Sequence, residues 1–64
     1  MKTFSFQGMV QFDSEHGLPT ICGDQVEWLD TFETKGFFYK RAEAKAWKYY
    51  FSKYPEYKEF IQLA

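Results

Sequence analysis

Residues 3 to 12 alternate between apolar and polar side chains, and this pattern constrains the fold more than any other feature of the sequence. Period-two alternation over this length predicts a half-buried β-strand, because successive side chains of a strand point to opposite faces. Gly8 falls on the apolar side, where a glycine indicates a β-bulge or the close approach of another element. The apolar side carries Phe4, Phe6, Val10 and Phe12.

A β-hairpin is predicted to follow this strand. Residues 13–17, Asp-Ser-Glu-His-Gly, are turn formers, and residues 18–22 would return as the second strand. Pro19 has no backbone N–H to donate to a sheet, so the returning strand is expected to be short or to lie at an edge.

Residues 24–36 fit two different structures. As a helix, the segment would begin with its aspartate as the N-cap, Glu27 would complete a D-x-x-E capping box, and the final glycine would follow the last turn. As a hairpin, residues 33–36 would form a type I turn, and several poor helix formers in the segment support this alternative. We favour the helix, and in both structures residues 37–39 are predicted to form a strand.

From Arg41 onward the sequence predicts helices. Alanines that alternate with Glu and Lys are strong helix formers, and aromatic side chains then recur at i, i+3, i+4 and i+7 on one face. Pro55 suits the first turn of a second helix, on which residues 57, 60, 61 and 64 repeat the same spacing. The helical side chains expected to face the core are Trp47, Tyr50, Phe51, Tyr54, Phe60 and Ile61.

These elements predict one α+β domain over residues 1–64, in which an N-terminal antiparallel hairpin or three-stranded sheet packs against C-terminal helices. A chain of this size buries only about 60% of its unfolded surface. The single cysteine excludes an internal disulfide, so the 15 aromatic residues must supply much of the core. Aromatic rings that do not fit inside are expected at the surface, where exposed apolar patches tend to mark interaction sites.

Few side chains are candidates for chemistry. Asp13, Glu15 and His16 form the only close titratable group and could in principle make an acid/base pair or a weak metal site, but we favour an exposed turn as their explanation. Cys22 is expected to be a small buried thiol, because no base and orienting group are placed to activate it. No nucleotide-, phosphate- or zinc-binding motif occurs. We therefore expect no enzyme, no cofactor and no metal.

Charge divides the chain into two halves. Residues 1–34 carry a net charge of −5 and residues 35–64 a net charge of +4. Such asymmetry is informative about partners. The acidic half offers one candidate binding face, formed by Asp24, Glu27, Asp30 and Glu33. A helical wheel offers a second candidate outside the aromatic stripe, formed by Arg41, Lys45, Lys48 and Tyr49.

The main functional hypothesis is a non-catalytic protein-binding module, a stoichiometric inhibitor or adaptor of a larger intracellular protein or nucleoprotein complex. Small proteins of this kind are often phage or mobile-element products that act on a host. The alternative is a small nucleic-acid-binding domain that uses the basic stripe, although the pI of about 5.7 is low for that class. A homodimer is a third alternative. Because there is no apolar run longer than three residues and no signal-peptide pattern, we expect a cytoplasmic protein without a membrane span.

Overall fold

The computed structural model describes all 64 residues as an antiparallel sheet with one α-helix packed against it. The expected α+β class is therefore confirmed. In chain order the elements are β1 (Lys2–Asp13), β2 (Leu18–Thr20), β3 (Gln25–Gly36), α1 (Tyr39–Lys53), a 3₁₀ helix (Pro55–Tyr57) and β4 (Gln62–Leu63).

Strand β1 is the centre of the sheet. Along one edge it pairs with β3 over almost its whole length, and along the other edge it pairs with β2 near its end and with β4 near its middle. The predicted first strand and hairpin are thus confirmed, and β2 is a three-residue edge strand, as Pro19 indicated. In the connecting turn, Gly17 adopts φ of 68°, a left-handed conformation that favours glycine, and its N–H donates to the Asp13 carbonyl at 2.6 Å.

The helix favoured for residues 24–36 is wrong, because the segment forms the long strand β3. The alternative turn at 33–36 is also absent, since pairing with β1 continues to Gly36. Opposite Phe6 lies Phe32, and such cross-strand pairs on a packed face stabilise a strand beyond local propensity. The strand predicted at 37–39 is wrong as well, since this segment leads into α1, which begins at Tyr39.

The second C-terminal helix is also wrong beyond its first turn. Pro55 does begin a short 3₁₀ helix, but the chain then enters β4. The apolar residues after Pro55 are spaced as they are because they pack against the sheet, not because they share a helix face. Tyr57 packs edge-on against Phe12 with 5.8 Å between ring centroids, and Ile61 is buried. Backbone pairing of β4 with Gly8 and Met9 satisfies an edge of β1 that a helix would have left open.

The buried face of α1 differs from the aromatic stripe of the helical wheel. Ala42, Ala46 and Tyr50 are the buried helical residues, whereas Trp47 and Phe51 are half-buried at the side of the helix. Alanine has the smallest side chain that still favours a helix, so this face lets the helix approach the sheet closely. The prediction that Tyr50 and Ile61 are core residues is confirmed, and the other four predicted side chains are half-buried against the core: Trp47, Phe51, Tyr54 and Phe60. The whole core consists of Phe6, Val10, Leu29, Ala42, Ala46, Tyr50 and Ile61.

A bulge interrupts the β1–β3 ladder at Gly8, as the sequence indicated. Gln7 lies opposite Thr31 and Met9 opposite Trp28, so Gly8 alone faces two residues of β3, Leu29 and Asp30. Bulges of this kind re-aim side chains and increase the local twist. Because of the extra residue, β3 changes which side chains it presents to each face of the sheet.

Candidate interaction surfaces

Asp30, a member of the predicted acidic face, is bound to the helix. Its carboxylate accepts hydrogen bonds from the hydroxyl of Tyr49, the hydroxyl of Tyr54 and, at 3.1 Å, the ammonium of Lys53. Partial burial opposes ionisation of this carboxyl, but the three donated hydrogen bonds outweigh it and lower the pKa of Asp30 from 3.8 to about 2. Asp30 therefore fixes α1 to β3 and carries its charge at neutral pH.

The other three predicted acidic residues do not form one face with it. Asp24 lies in the loop before β3 and accepts hydrogen bonds from the backbone N–H and hydroxyl of Ser14, which lower the pKa of its carboxyl. Glu27 pairs with the buried Val10, whereas Glu33 pairs with the exposed Ser5, on the opposite face. Glu27 and Glu33 are exposed, and neither is in an ion pair.

The predicted basic stripe is only partly free. Arg41, Lys45 and Lys48 are exposed and have no ion-pair partner, since the two ion pairs of the structure are His16–Asp13 and Lys53–Asp30. Tyr49 points elsewhere: it is half-buried, stacks on Phe32 with 4.8 Å between ring centroids, and donates to Asp30. Tyr49 is accordingly engaged within the fold.

A second surface was missed by sequence reasoning because β3 was expected to be helical. Cross-strand pairing of Met9 with Trp28 and of Gln11 with Val26 places these side chains on the face opposite α1. Nothing covers that face, and Trp28 is 56% exposed and Val26 47% exposed. Leu18, 62% exposed, lies on the same face beyond them, opposite Asp13. We call this set of four side chains the sheet-face patch: Met9, Val26, Trp28 and Leu18.

The strands that carry the sheet-face patch have a one-sided charge. From Thr3 to Thr34 the chain contains no Lys or Arg and six acidic residues. Apart from Asp30, these acids lie in or near the hairpin end or project from β3. The patch therefore shares its face of the sheet with two acidic residues, Asp13 and Glu33.

A basic cleft lies where β3 passes into α1. Lys35, Arg41 and Lys45 line it together with Phe38, and its volume is about 240 Å³. The guanidinium carbon of Arg41 is 5.5 Å from the centroid of the Phe38 ring. Phe37, which also lines the cleft, is 70% exposed and Phe38 is 62% exposed. Two adjacent phenylalanines before a basic helix are a sequence signal for such a cleft, but the prediction of a buried strand at 37–39 placed these rings in the sheet.

A wider groove of about 690 Å³ lies on the other side of the basic stripe, between α1 and the chain after the 3₁₀ helix. Its floor is the stacked pair of Trp47 and Phe51, with 5.4 Å between ring centroids. Lys48 and Lys58 line it, and the ammonium of Lys58 lies 5.7 Å from the centroid of the Phe51 ring.

The remaining candidates for chemistry lie at the hairpin end. The possible ligand atoms of Asp13, Glu15 and His16 lie within 4.8 Å of one another, and the Asp13 carboxylate also accepts the Glu15 backbone N–H. These contacts belong to the turn itself. The prediction of a buried thiol is wrong, because Cys22 is exposed on the loop between β2 and β3, where no helix begins.

Comparison with protein-family models, with curated proteins and with solved structures finds no match to this chain. Neither helix has the length and apolar character needed to cross a membrane.

Proposed function

We propose that the chain is a non-catalytic protein-binding module whose docking surface is the sheet-face patch. The observation that carries the proposal is the exposure of Trp28 and Val26 on a sheet face that no element of the fold covers. Tryptophan is among the residues that contribute most to binding energy at protein interfaces. An apolar patch with a polar rim is the usual anatomy of such an interface.

The surrounding charge indicates the chemistry of the partner. Because the strands that carry the patch contain acids and no bases between Thr3 and Thr34, a partner surface with Lys or Arg around an apolar site would be complementary. Nucleic-acid-binding grooves of larger proteins have this character. Glu33 lies on the same face of the sheet as the patch and has no ion-pair partner, so it would steer such an encounter.

In this proposal the module acts stoichiometrically, as an inhibitor or adaptor that occupies a basic site on a larger protein or nucleoprotein. A reducing, cytoplasmic location, suggested by the single cysteine, belongs to the same proposal. No catalytic step is assigned to any residue.

The test compares proteins retained from a cell lysate by the immobilised wild-type chain and by two variants. Trp28→Lys removes the central ring and adds a charge that a basic partner repels, while Phe37→Ser removes an even more exposed ring outside the patch. The proposal expects a protein that is lost with Trp28→Lys and kept with Phe37→Ser, and that forms a one-to-one complex in calorimetry after purification. Its binding should weaken as salt rises.

Retention of the same proteins by wild type and by Trp28→Lys would contradict the proposal. Light scattering distinguishes a second copy from a different partner. A mass that doubles with concentration, and reverts to the monomer in Trp28→Lys, would assign the patch to a homodimer instead.

A further inference from the structure

The basic cleft brings together three cations and an open helix end. Lys35, Arg41 and Lys45 line it, no acidic residue does, and none of the three cations is in an ion pair. The N-cap residue of α1, Phe38, makes no side-chain capping hydrogen bond, and the first turn contains no acidic residue. The first N–H groups of a helix lack partners within the helix, so this end carries a partial positive charge. The cleft is suited to an anion.

The outward face of α1 extends this positive region. With Ala42, Ala46 and Tyr50 against the sheet, a wheel at 100° per residue places Lys40, Arg41, Lys45 and Lys48 on the solvent side. The acidic residue of α1, Glu43, lies at the side of the helix and accepts a hydrogen bond from Tyr39. No acidic side chain therefore neutralises this cationic face, which extends from the basic cleft to the wider groove over Trp47 and Phe51.

Aromatic rings lie at both ends of this face. Phe37 and Phe38 are largely exposed beside the cleft, and Trp47 and Phe51 form the floor of the groove. Arg41 already lies over the ring of Phe38. Cations that follow a backbone, with flat rings beside them, are the combination that binds single-stranded nucleic acids, because phosphates pair with the cations and bases stack on the rings.

We propose that the outward face of α1 binds single-stranded nucleic acid, with one phosphate in the basic cleft between Lys35, Arg41 and Lys45 and bases stacked on Phe37 and Phe38. This site lies at the end of β3 that leads into α1, whereas Val26 and Trp28 of the sheet-face patch lie near its start, and it does not depend on the function proposed for that patch. The basic stripe predicted from the sequence included Tyr49, but the side chain of Tyr49 stacks on Phe32 and donates to Asp30 within the fold. In the proposed site, Phe37 and Phe38 provide the stacking rings instead.

An acidic polypeptide is the competing occupant, and the aromatic rings favour the nucleic acid. Carboxylates would satisfy the cations equally well, but they give the largely exposed rings of Phe37 and Phe38 no flat partner to stack on. The chain has a net charge of −1 and an acidic hairpin end, which repel a nucleic acid. We therefore do not expect a strong complex that persists at high salt. The complex should therefore be salt-sensitive, as phosphate contacts require.

The test is fluorescence anisotropy with 5′-labelled single-stranded oligonucleotides, one of DNA and one of RNA, titrated with the full chain from low to moderate salt. We expect saturable binding whose logarithm of affinity falls by about 0.7 per logarithm of salt for each phosphate contact. Arg41→Ala and Lys45→Ala should each weaken binding about 5- to 10-fold and reduce that slope by about 0.7. Because each stacked ring should contribute about 5- to 150-fold, the double variant Phe37→Ala/Phe38→Ala should weaken binding at least about 25-fold while leaving the slope unchanged.

Lys40→Ala is the matched control, since it removes the same charge from the same helix outside the cleft and the groove. It should weaken binding less than Lys45→Ala does. Circular dichroism of each variant checks that the fold is kept, which the exposure of the substituted side chains predicts.

Three outcomes would overturn the proposal. The first is no anisotropy change for either oligonucleotide at low salt. The second is equal weakening by Lys40→Ala and Lys45→Ala together with no effect of the phenylalanine variant, which would indicate a non-specific positive surface. The third is competition by polyglutamate at the same charge concentration as effective as that by unlabelled oligonucleotide, which would assign the face to an acidic polypeptide. Inorganic phosphate should compete only weakly.

Discussion

The hydroxyl oxygen of Tyr50 lies 3.0 Å from the backbone nitrogen of Gly8 and accepts its hydrogen bond at the one irregular point of the β1–β3 ladder. The same hydroxyl donates to the carbonyl oxygen of Asp30 at 2.7 Å, and the carbonyl oxygen of Phe6 is a second acceptor at 3.1 Å. Tyr50 is fully buried, so the helix closes the bulge from inside the core. Burial also raises the pKa of this hydroxyl, which keeps it protonated and able to donate.

Tyr50→Phe is expected to destabilise the protein by about 1–3 kcal/mol, because buried backbone groups of both strands would lose their partner without a change in packing. Urea unfolding followed by circular dichroism measures this change. Tyr39→Phe is the control, since the hydroxyl of Tyr39 makes only a solvent-exposed hydrogen bond, to Glu43, and its loss should leave the midpoint unchanged. Equal midpoints for Tyr50→Phe and wild type would show that the bulge does not need the hydroxyl.

Gly8→Ala is expected to destabilise the fold by about 1–3 kcal/mol through overpacking. A Cβ at this position would lie 3.0 Å from Tyr50 Cε1 and 3.2 Å from Leu29 Cδ1, both of which belong to buried side chains. Gly36→Ala provides the comparison, because a Cβ there meets nothing within 4 Å. Thermal unfolding of the two variants should separate them, and a Gly8→Ala protein as stable as Gly36→Ala would contradict the close approach.

Ala46→Leu tests which face of α1 is buried. Ala46 is fully buried, so a larger side chain should cost about 1–3 kcal/mol, whereas Ala44→Leu on the exposed side should change the free energy of unfolding by less than about 0.5 kcal/mol. If Ala46→Leu were tolerated and substitutions of Trp47 were not, the wheel that centres the core on the aromatic stripe would be right after all.

Asp30→Asn should weaken the attachment of α1 to β3. The amide removes the negative charge to which Tyr49, Tyr54 and Lys53 donate hydrogen bonds. The free energy of unfolding should fall by about 1–2 kcal/mol at neutral pH, after allowance for the partial exposure of the group. Urea midpoints of Asp30→Asn and wild type at pH 7 measure it. Glu33→Gln, an exposed acid on the same strand, should have no comparable effect.

The stability of the protein should also depend on pH through Asp30. The folded-state pKa of about 2 lies below the ordinary value of 3.8, so the stabilisation is fully present above about pH 4 and is lost as the pH falls through about 2. Urea midpoints between pH 5 and 2 should fall more steeply for wild type than for Asp30→Asn. Parallel curves would show that another carboxylate governs acid unfolding.

Strand β1 and helix α1 could be predicted because their signals are local. Alternation over residues 3–12 and alanine-rich composition after Arg41 act on neighbouring residues, and both elements formed as expected. The turn residues between Asp13 and Gly17 likewise determined the hairpin and its short edge strand. The α+β class and the bulge at Gly8 followed from the same patterns.

Strand β3, the rotation of α1 and both surfaces were decided by tertiary structure. The caps at 24–36 suited a helix, but pairing with β1 along its length outweighed local propensity, and Asp30 found partners 19 to 24 residues away. The alanines faced the sheet because close approach buries more backbone and side-chain surface than the larger rings would allow. The packing of β1, β3 and α1 decided which faces remained uncovered, and so exposed Trp28, Phe37 and Phe38. Local periodicity does not encode that geometry.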